Sequence, residues 1–299
     1  MRLGTMLRTA GTVALVWAAF PAAGAGAAPR VLRVVAAENF WGSLAAQLGG
    51  TRVEISSIVT DPNADPHDYE TSPADARMFA AADYVIENGA GYDTWADKLL
   101  AAQPRAGRRI LDVARFLGRP AGSNPHLWYD PTYVSAVIDR ITADLTALDP
   151  ADRAYFARRH QAVEAALSPY RAALAAIRAR YGGTRVASTE SVFVYLAAAL
   201  DLRIVTGSSF MDAVAENVDP PAAALASFER QIAGRDFSVL VYNIQTVTPL
   251  TTNLRRAATA RHIAVVGISE TMEPPTTTFE RWMVTELDRV GAALARGTP

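Results

Sequence analysis

ADRAYFARRHQAVEAALSPYRAALAAIRARY, residues 151–181, decides the architecture. Within it Val163, Leu167, Tyr170, Leu174, Ile177 and Tyr181 step by four and three residues in alternation, which lays one apolar stripe along a helix. Asp149-Pro150 supplies an N-cap and a first-turn proline ahead of it, and Gly182-Gly183 supplies the stop. Pro169 predicts a kink, because it lacks the N–H that a helix interior needs. At about 1.5 Å per residue the helix is roughly 45 Å long, enough to run the height of a small protein. It reads as a spine, and a ligand site is expected where two lobes meet beside it.

Outward from the spine, strand and helix signals alternate on both sides. Before it, strands are predicted at residues 31–36, 52–59, 84–87 and 109–113, with helices near 41–48, 73–82, 92–102 and 131–148. After it, strands are predicted at 185–188, 203–206, 239–242 and 263–267, with helices near 192–200, 221–233, 249–260 and 279–295. Strands separated by helical segments imply parallel sheets. The expected fold class is α/β: two lobes, each a parallel sheet flanked by helices, joined by one long rigid helix. The corresponding division is a signal peptide over residues 1–28, a first lobe over 29–148, the spine over 149–183 and a second lobe over 184–299.

Half of the 299 residues are apolar and 20% are charged, a composition that supplies ample core material and excludes a disordered chain. The formal net charge of −1 gives no footprint for nucleic acid. Arg2 and Arg8 precede an apolar run over 12–20 and small residues over 23–27, the pattern of a cleaved secretory signal. The run falls short of the about 20 apolar residues of an ordinary membrane span. There is no cysteine, so disulfides are excluded and so is lipid attachment through an N-terminal cysteine. A soluble, periplasmic protein that is not a lipoprotein is therefore expected. Any metal site in it must use His, Asp, Glu, amide or water ligands.

Four histidines exist, and two share a local grammar: Asp65-Pro66-His67 and Asn124-Pro125-His126, both in irregular loops of the first lobe. A proline fixes its own φ and extends the residue before it, so each imidazole is presented from stiff backbone. That suits a metal ligand, although a lone loop histidine is an ordinary surface side chain. His160, among Arg158, Arg159 and Gln161, and His262, after Arg261, read as solvated. In the second lobe Glu190 follows the strand at 185–188 and Glu270 follows the strand at 263–267. Either acid alone also suits a helix N-terminus. Ligands in open parallel sheets sit beyond the carboxyl ends of the strands, so two histidines from one lobe and two carboxylates from the other can converge across the cleft. Such a borderline-hard set favours Mn(II), Fe(II) or Zn(II). Asp68 and Asp130, close to the two histidines, are candidates to hold their second ring nitrogens, and read equally well as surface acids.

At these residues the chain resembles the solute-binding proteins of ABC transporters for manganese, zinc and iron. The resemblance is carried by Val35-Ala36-Ala37-Glu38-Asn39-Phe40, by Asp65-Pro66-His67-Asp68-Tyr69-Glu70, by Asn124-Pro125-His126-Leu127-Trp128 and by Glu190-Ser191-Val192-Phe193-Val194-Tyr195-Leu196. It implies a monomeric receptor that captures one divalent metal ion between its lobes and delivers it to a membrane permease, with His67, His126 and Glu190 as three ligands. The family's fourth ligand is usually an aspartate, and Glu270 stands there in this chain, with Asn243 and Gln245 as alternatives. Glutamate at position 190 is typical of manganese-binding relatives, and the His- and Asp-rich loop of many zinc-specific relatives is missing. Both features lean away from zinc, whereas the Irving–Williams order favours it, so the metal stays open.

A kinked but continuous spine implies modest rocking of the lobes, with release through shifts of the Glu190 or Glu270 loops. Two rivals remain. A binding protein of the same shape for a chelated or organic ligand would not need the histidines. A secreted metallohydrolase would need a poised base, and no H-E-x-x-H pattern is present. The chain is therefore read as a receptor and not as an enzyme. An additional adhesin role is left open.

Overall fold

Runs of valine, isoleucine and alanine form strands here because helices cover both faces of each sheet, as parallel pairing requires. The structure, a computed structural model, describes residue 1, residues 30–62 and residues 69–298. Leu32–Glu38 (β1), Val53–Val59 (β2), Tyr84–Glu87 (β3) and Arg109–Asp112 (β4) make one sheet in the order β2-β1-β3-β4. Arg185–Ser188 (β5), Arg203–Ile204 (β6), Val239–Asn243 (β7) and Ala264–Ile268 (β8) make a second in the order β6-β5-β7-β8. Every pairing is parallel. The same order in both halves puts a reversal of strand order beside β1 and beside β5. A crevice opens at the carboxyl ends of the strands at each reversal.

The helices of the first half are Asn39–Gly49 (α1), Pro73–Ala81 (α2), Thr94–Ala102 (α3), Val113–Phe116 (α4) and Pro131–Leu148 (α5). The spine is Arg153–Ala166 (α6) followed by Ser168–Tyr181 (α7). Then come Val194–Ala199 (α8), Ser208–Ala215 (α9), Ala222–Gly234 (α10), Pro249–Ala260 (α11) and Phe279–Gly297 (α12). No described helix is long and apolar enough to cross a membrane.

The spine is interrupted where Pro169 predicts a kink, as two helices in line. It opens with a 3-10 turn at Pro150–Asp152 and is interrupted at Leu167, whose φ of −75° and ψ of −7° loosen the turn before Pro169. The physical reason is the missing proline N–H, which leaves the carbonyl four residues earlier without its helical donor. The axis carries on through the break, since Leu167 N donates to Val163 O at 3.0 Å and Arg171 N donates to Leu167 O at 3.0 Å. The apolar stripe is buried as its spacing predicts: Val163, Leu167, Tyr170, Leu174 and Ile177 all lie in one core with Val34 and Ala36 of β1, Val186 of β5 and Leu287 of α12. Each such side chain contributes roughly 1.5–3 kcal/mol. One core therefore spans both halves, and it includes the residues that join them. Smaller cores lie on the outer faces, around Phe79 and Trp95 in the first half and around Phe210 and Phe228 in the second.

Hydrogen bonds also tie the halves together near the carboxyl ends of the strands. Asn39 accepts from Met272 N at 3.1 Å and donates to Met272 O at 3.4 Å. Tyr129 donates to Ser269 O at 2.6 Å. Helix α9, absent from the sequence reading, lies beside this cleft.

Candidate metal centre

The carboxyl ends of β5, β7 and β8 bring Glu190, Asn243 and Glu270 together, and the loop after α4 brings His126 to them. Glu190 follows β5 by two residues, Asn243 ends β7, and Glu270 follows β8 by two residues. All four are buried, at 1% exposure or less. One ligand atom from each of His126, Glu190 and Glu270 lies within 4.8 Å of the others. His126 Nε2 is 3.7 Å from Glu270 Oε2. Neither acid serves as a helix cap by side chain: Glu190 precedes the 3-10 turn Ser191–Phe193 and makes no capping bond there. Two carboxylates buried this close to each other repel unless a cation or donors lie between them.

Donors do lie between them. Asn243 Nδ2 donates to Glu190 Oε1 at 2.8 Å, to Thr246 Oγ1 at 2.7 Å, and to Glu270 Oε1. Gln245 N donates to Asn243 Oδ1 at 2.9 Å, which fixes the amide so that its nitrogen faces the acids. Asn243 is thus turned away from being an oxygen ligand. Gln245 is turned away too: its Oε1 accepts from Glu270 N and its Nε2 donates to Thr271 Oγ1 at 2.9 Å. Tyr92, on the loop after β3, donates to Glu270 Oε2 at 2.7 Å and sets its ring edge-on to His126.

On the histidine, Asn124 Oδ1 meets His126 Nδ1 at 2.7 Å. The oxygen only accepts, so Nδ1 carries the proton and Nε2 presents its lone pair toward the carboxylates. The Asp130 candidacy is corrected here. Its carboxylate accepts from Thr132 N at 2.8 Å and Tyr133 N at 3.3 Å, because it is the N-cap of α5 ahead of Pro131. Of the predicted ligands, His126, Glu190 and Glu270 are brought together. His67 and its neighbour Asp68 lie outside the described residues. His160 sits on α6 against Asp139 Oδ1 at 2.7 Å, and His262 follows α11 by two residues, both away from this cluster.

Deeper in the first half lies a second group of acids, at the ends of β1 and β3. Burial drives the Glu38 carboxyl well above its ordinary value, with the Asp93 and Glu87 charges adding to the effect. Burial raises Glu87 to about 8, helped by Asp93, Asp97 and Asp112. It raises Asp93 to about 6, against the pull of the Gly89 and Asn88 N–H groups. The carbonyl of Pro125 accepts from Asn88 Nδ2 at 2.8 Å, so this layer braces the segment that carries His126.

Sequence and structure comparisons place the chain among known proteins. A family model described as the periplasmic component A of the zinc-uptake complex matches residues 34–293. The iron-binding protein YfeA of Yersinia pestis is 29% identical over 157 residues, 48% of this chain and 49% of that protein. The manganese-binding lipoprotein MntA of Halalkalibacterium halodurans is 27% identical over 124 residues, 40% of each chain. The matches thus span at most about half the length of these relatives. Among solved structures, the periplasmic zinc-binding protein TroA from Treponema pallidum superposes with a TM-score of 0.73 at 19% identity, over 88% of this chain and 99% of that one. That likeness establishes the two-lobed α/β fold.

Proposed function

The chain belongs to the family of periplasmic zinc-uptake component A proteins, and from that premise we propose that it captures one divalent transition metal ion between its lobes and passes it to an ABC permease. The observation that carries this reading is the convergence of His126, Glu190 and Glu270 from two lobes onto one point. His67, carried over from the family resemblance, supplies the fourth ligand. Neutral imidazole and carboxylate oxygen suit Mn(II), Fe(II) and Zn(II), the metals named for the relatives above. The cation supplies the positive charge that the Asn243 amide, a neutral donor, does not give the two acids. Capture alone is the activity, so the protein is not an enzyme. It acts as a monomer in the periplasm, without nucleic acid.

Residues 1–28 are its signal peptide, residues 29–148 and 184–299 its lobes, and residues 149–183 its spine. With no cysteine in the sequence to carry a lipid, the mature protein is soluble rather than tethered. Elemental analysis of the mature protein, paired with competitive Mn(II) and Zn(II) titration of wild type and Glu270→Ala, tests the proposal. One equivalent of metal, lost or much weakened in the variant, is expected. A protein without metal and without a titratable site would transfer the argument to an organic ligand.

A further inference from the structure

Asn124 bonds to His126 and to the backbone and a side chain of the second lobe. Its Oδ1 accepts from the backbone N–H of His126 at 3.0 Å and from His126 Nδ1 at 2.7 Å. Its Nδ2 donates to Ser191 O at 2.8 Å, and its own carbonyl accepts from Tyr195 Oη at 3.1 Å. One amide edge therefore holds the histidine of the first lobe. The other edge holds the residue that follows Glu190 in the second. Its orientation is fixed at both ends by backbone groups, an N–H on one side and a carbonyl on the other. Asn124 also lines the cavity of about 590 Å³ at the cleft mouth, between Ala90 and Gly91 on one side and Ser191 and Asn217 on the other.

Parting the lobes on the Glu190 side breaks both contacts to the second lobe. The amide then loses the partner that keeps its oxygen aimed at Nδ1, and the imidazole loses the acceptor that fixes its tautomer. We propose that Asn124 is a positioning residue that couples the metal-ready tautomer of His126 to closure of the second lobe, and so sets the rate of metal release. The inference rests on the metal-receptor reading above.

Aspartate separates the two roles. Asn124→Asp keeps both acceptor contacts to His126 but puts an oxygen where the donor to Ser191 O stood. Asn124→Ala removes both roles, and Tyr195→Phe removes only the second contact between the lobes. The test loads each protein with Co(II), whose visible spectrum reads the ligand set, and with Mn(II), then follows release by stopped-flow challenge with a chelator. The Asp variant is expected to keep the wild-type Co(II) spectrum and one-to-one stoichiometry while releasing metal about tenfold faster, the effect of one lost hydrogen bond. Tyr195→Phe is expected to release severalfold faster, and the two changes to be non-additive together, since both report one closure. The Ala variant is expected to lose affinity and to alter the spectrum.

Wild-type release rates in Asn124→Asp and Tyr195→Phe would overturn the coupling. So would an Asp variant that matches Ala in spectrum and affinity. A wild type that binds neither ion, or binds unchanged after His126→Ala, would instead refute the receptor reading.

Discussion

Replacing Glu87 with glutamine tests the buried acid layer beneath the candidate site. Glu87 ends β3, is 5% exposed, and its Oε2 has no hydrogen-bond partner among the described residues. Burial, reinforced by Asp93, Asp97 and Asp112, raises it from an ordinary 4.5 to about 8. A carboxyl raised on folding binds its proton more tightly in the native state than in the unfolded chain. Its contribution is fully present below pH 4.5 and is lost as the pH rises through about 8.

Between those limits the native state holds up to one extra proton at this residue, so stability falls by up to about 1.36 kcal/mol per pH unit. The full interval sets a ceiling of about 5 kcal/mol. Glu87 lines a surface cavity, and screening by solvent there reduces the effect to about 2–3 kcal/mol. Glutamine keeps the shape and never ionises. Urea denaturation of metal-free protein at pH 5, 6.5, 8 and 9 is expected to show equal stability at pH 5, a shallower decline for Glu87→Gln, and a gain of about 2–3 kcal/mol at pH 9. Some slope remains, from Glu38, Asp93 and Glu286. The same slope in both proteins, or a variant less stable at pH 9, would refute the reasoning.

Asn243→Asp adds a third acid where the amide now bridges Glu190 and Glu270. The metal-free protein is expected to melt several degrees lower and to gain a larger upward shift with Mn(II) than wild type, read by thermal denaturation with and without the ion. Asp144, 1% exposed, accepts from Tyr84 Oη at 2.9 Å and Arg140 Nε at 2.8 Å, and also pairs with Arg109. Asp144→Ala strands a buried phenol and two guanidinium groups, and is expected to cost about 3–5 kcal/mol in urea denaturation without changing metal stoichiometry.

The architecture was legible because its signals are local. The four-and-three spacing of Val163 through Ile177, the Asp149-Pro150 start and Gly182-Gly183 stop of the spine and the apolar strand runs each specify an element within a few residues. Glu190 and Glu270 were legible for the same reason, since each directly follows a strand whose end points into the cleft. Asn124, Tyr92 and the orientation of Asn243 were not, because their partners lie far off in sequence: Tyr92 and Glu270 are 178 residues apart, and Asn124 and Ser191 are 67 apart. The mirrored Asn-Pro-His and Asp-Pro-His triplets were the one hint to Asn124. Asp130 read as either a partner for His126 or a surface acid because closeness in sequence suggests contact, whereas the proline after it commits it to capping α5. Helix α9 gave no start signal, since Gly207 stands at its N-cap and offers no side chain to cap it.

The central claim is that one metal ion is held between side chains from both lobes. Anomalous diffraction at the Mn and Zn edges from metal-loaded crystals tests it most directly. The account predicts one strong peak about 2.0–2.3 Å from His126 Nε2 and from carboxylate oxygens of Glu190 and Glu270, with His67 closing the set. A peak held by other residues, or none in crystals soaked with excess metal, would contradict it.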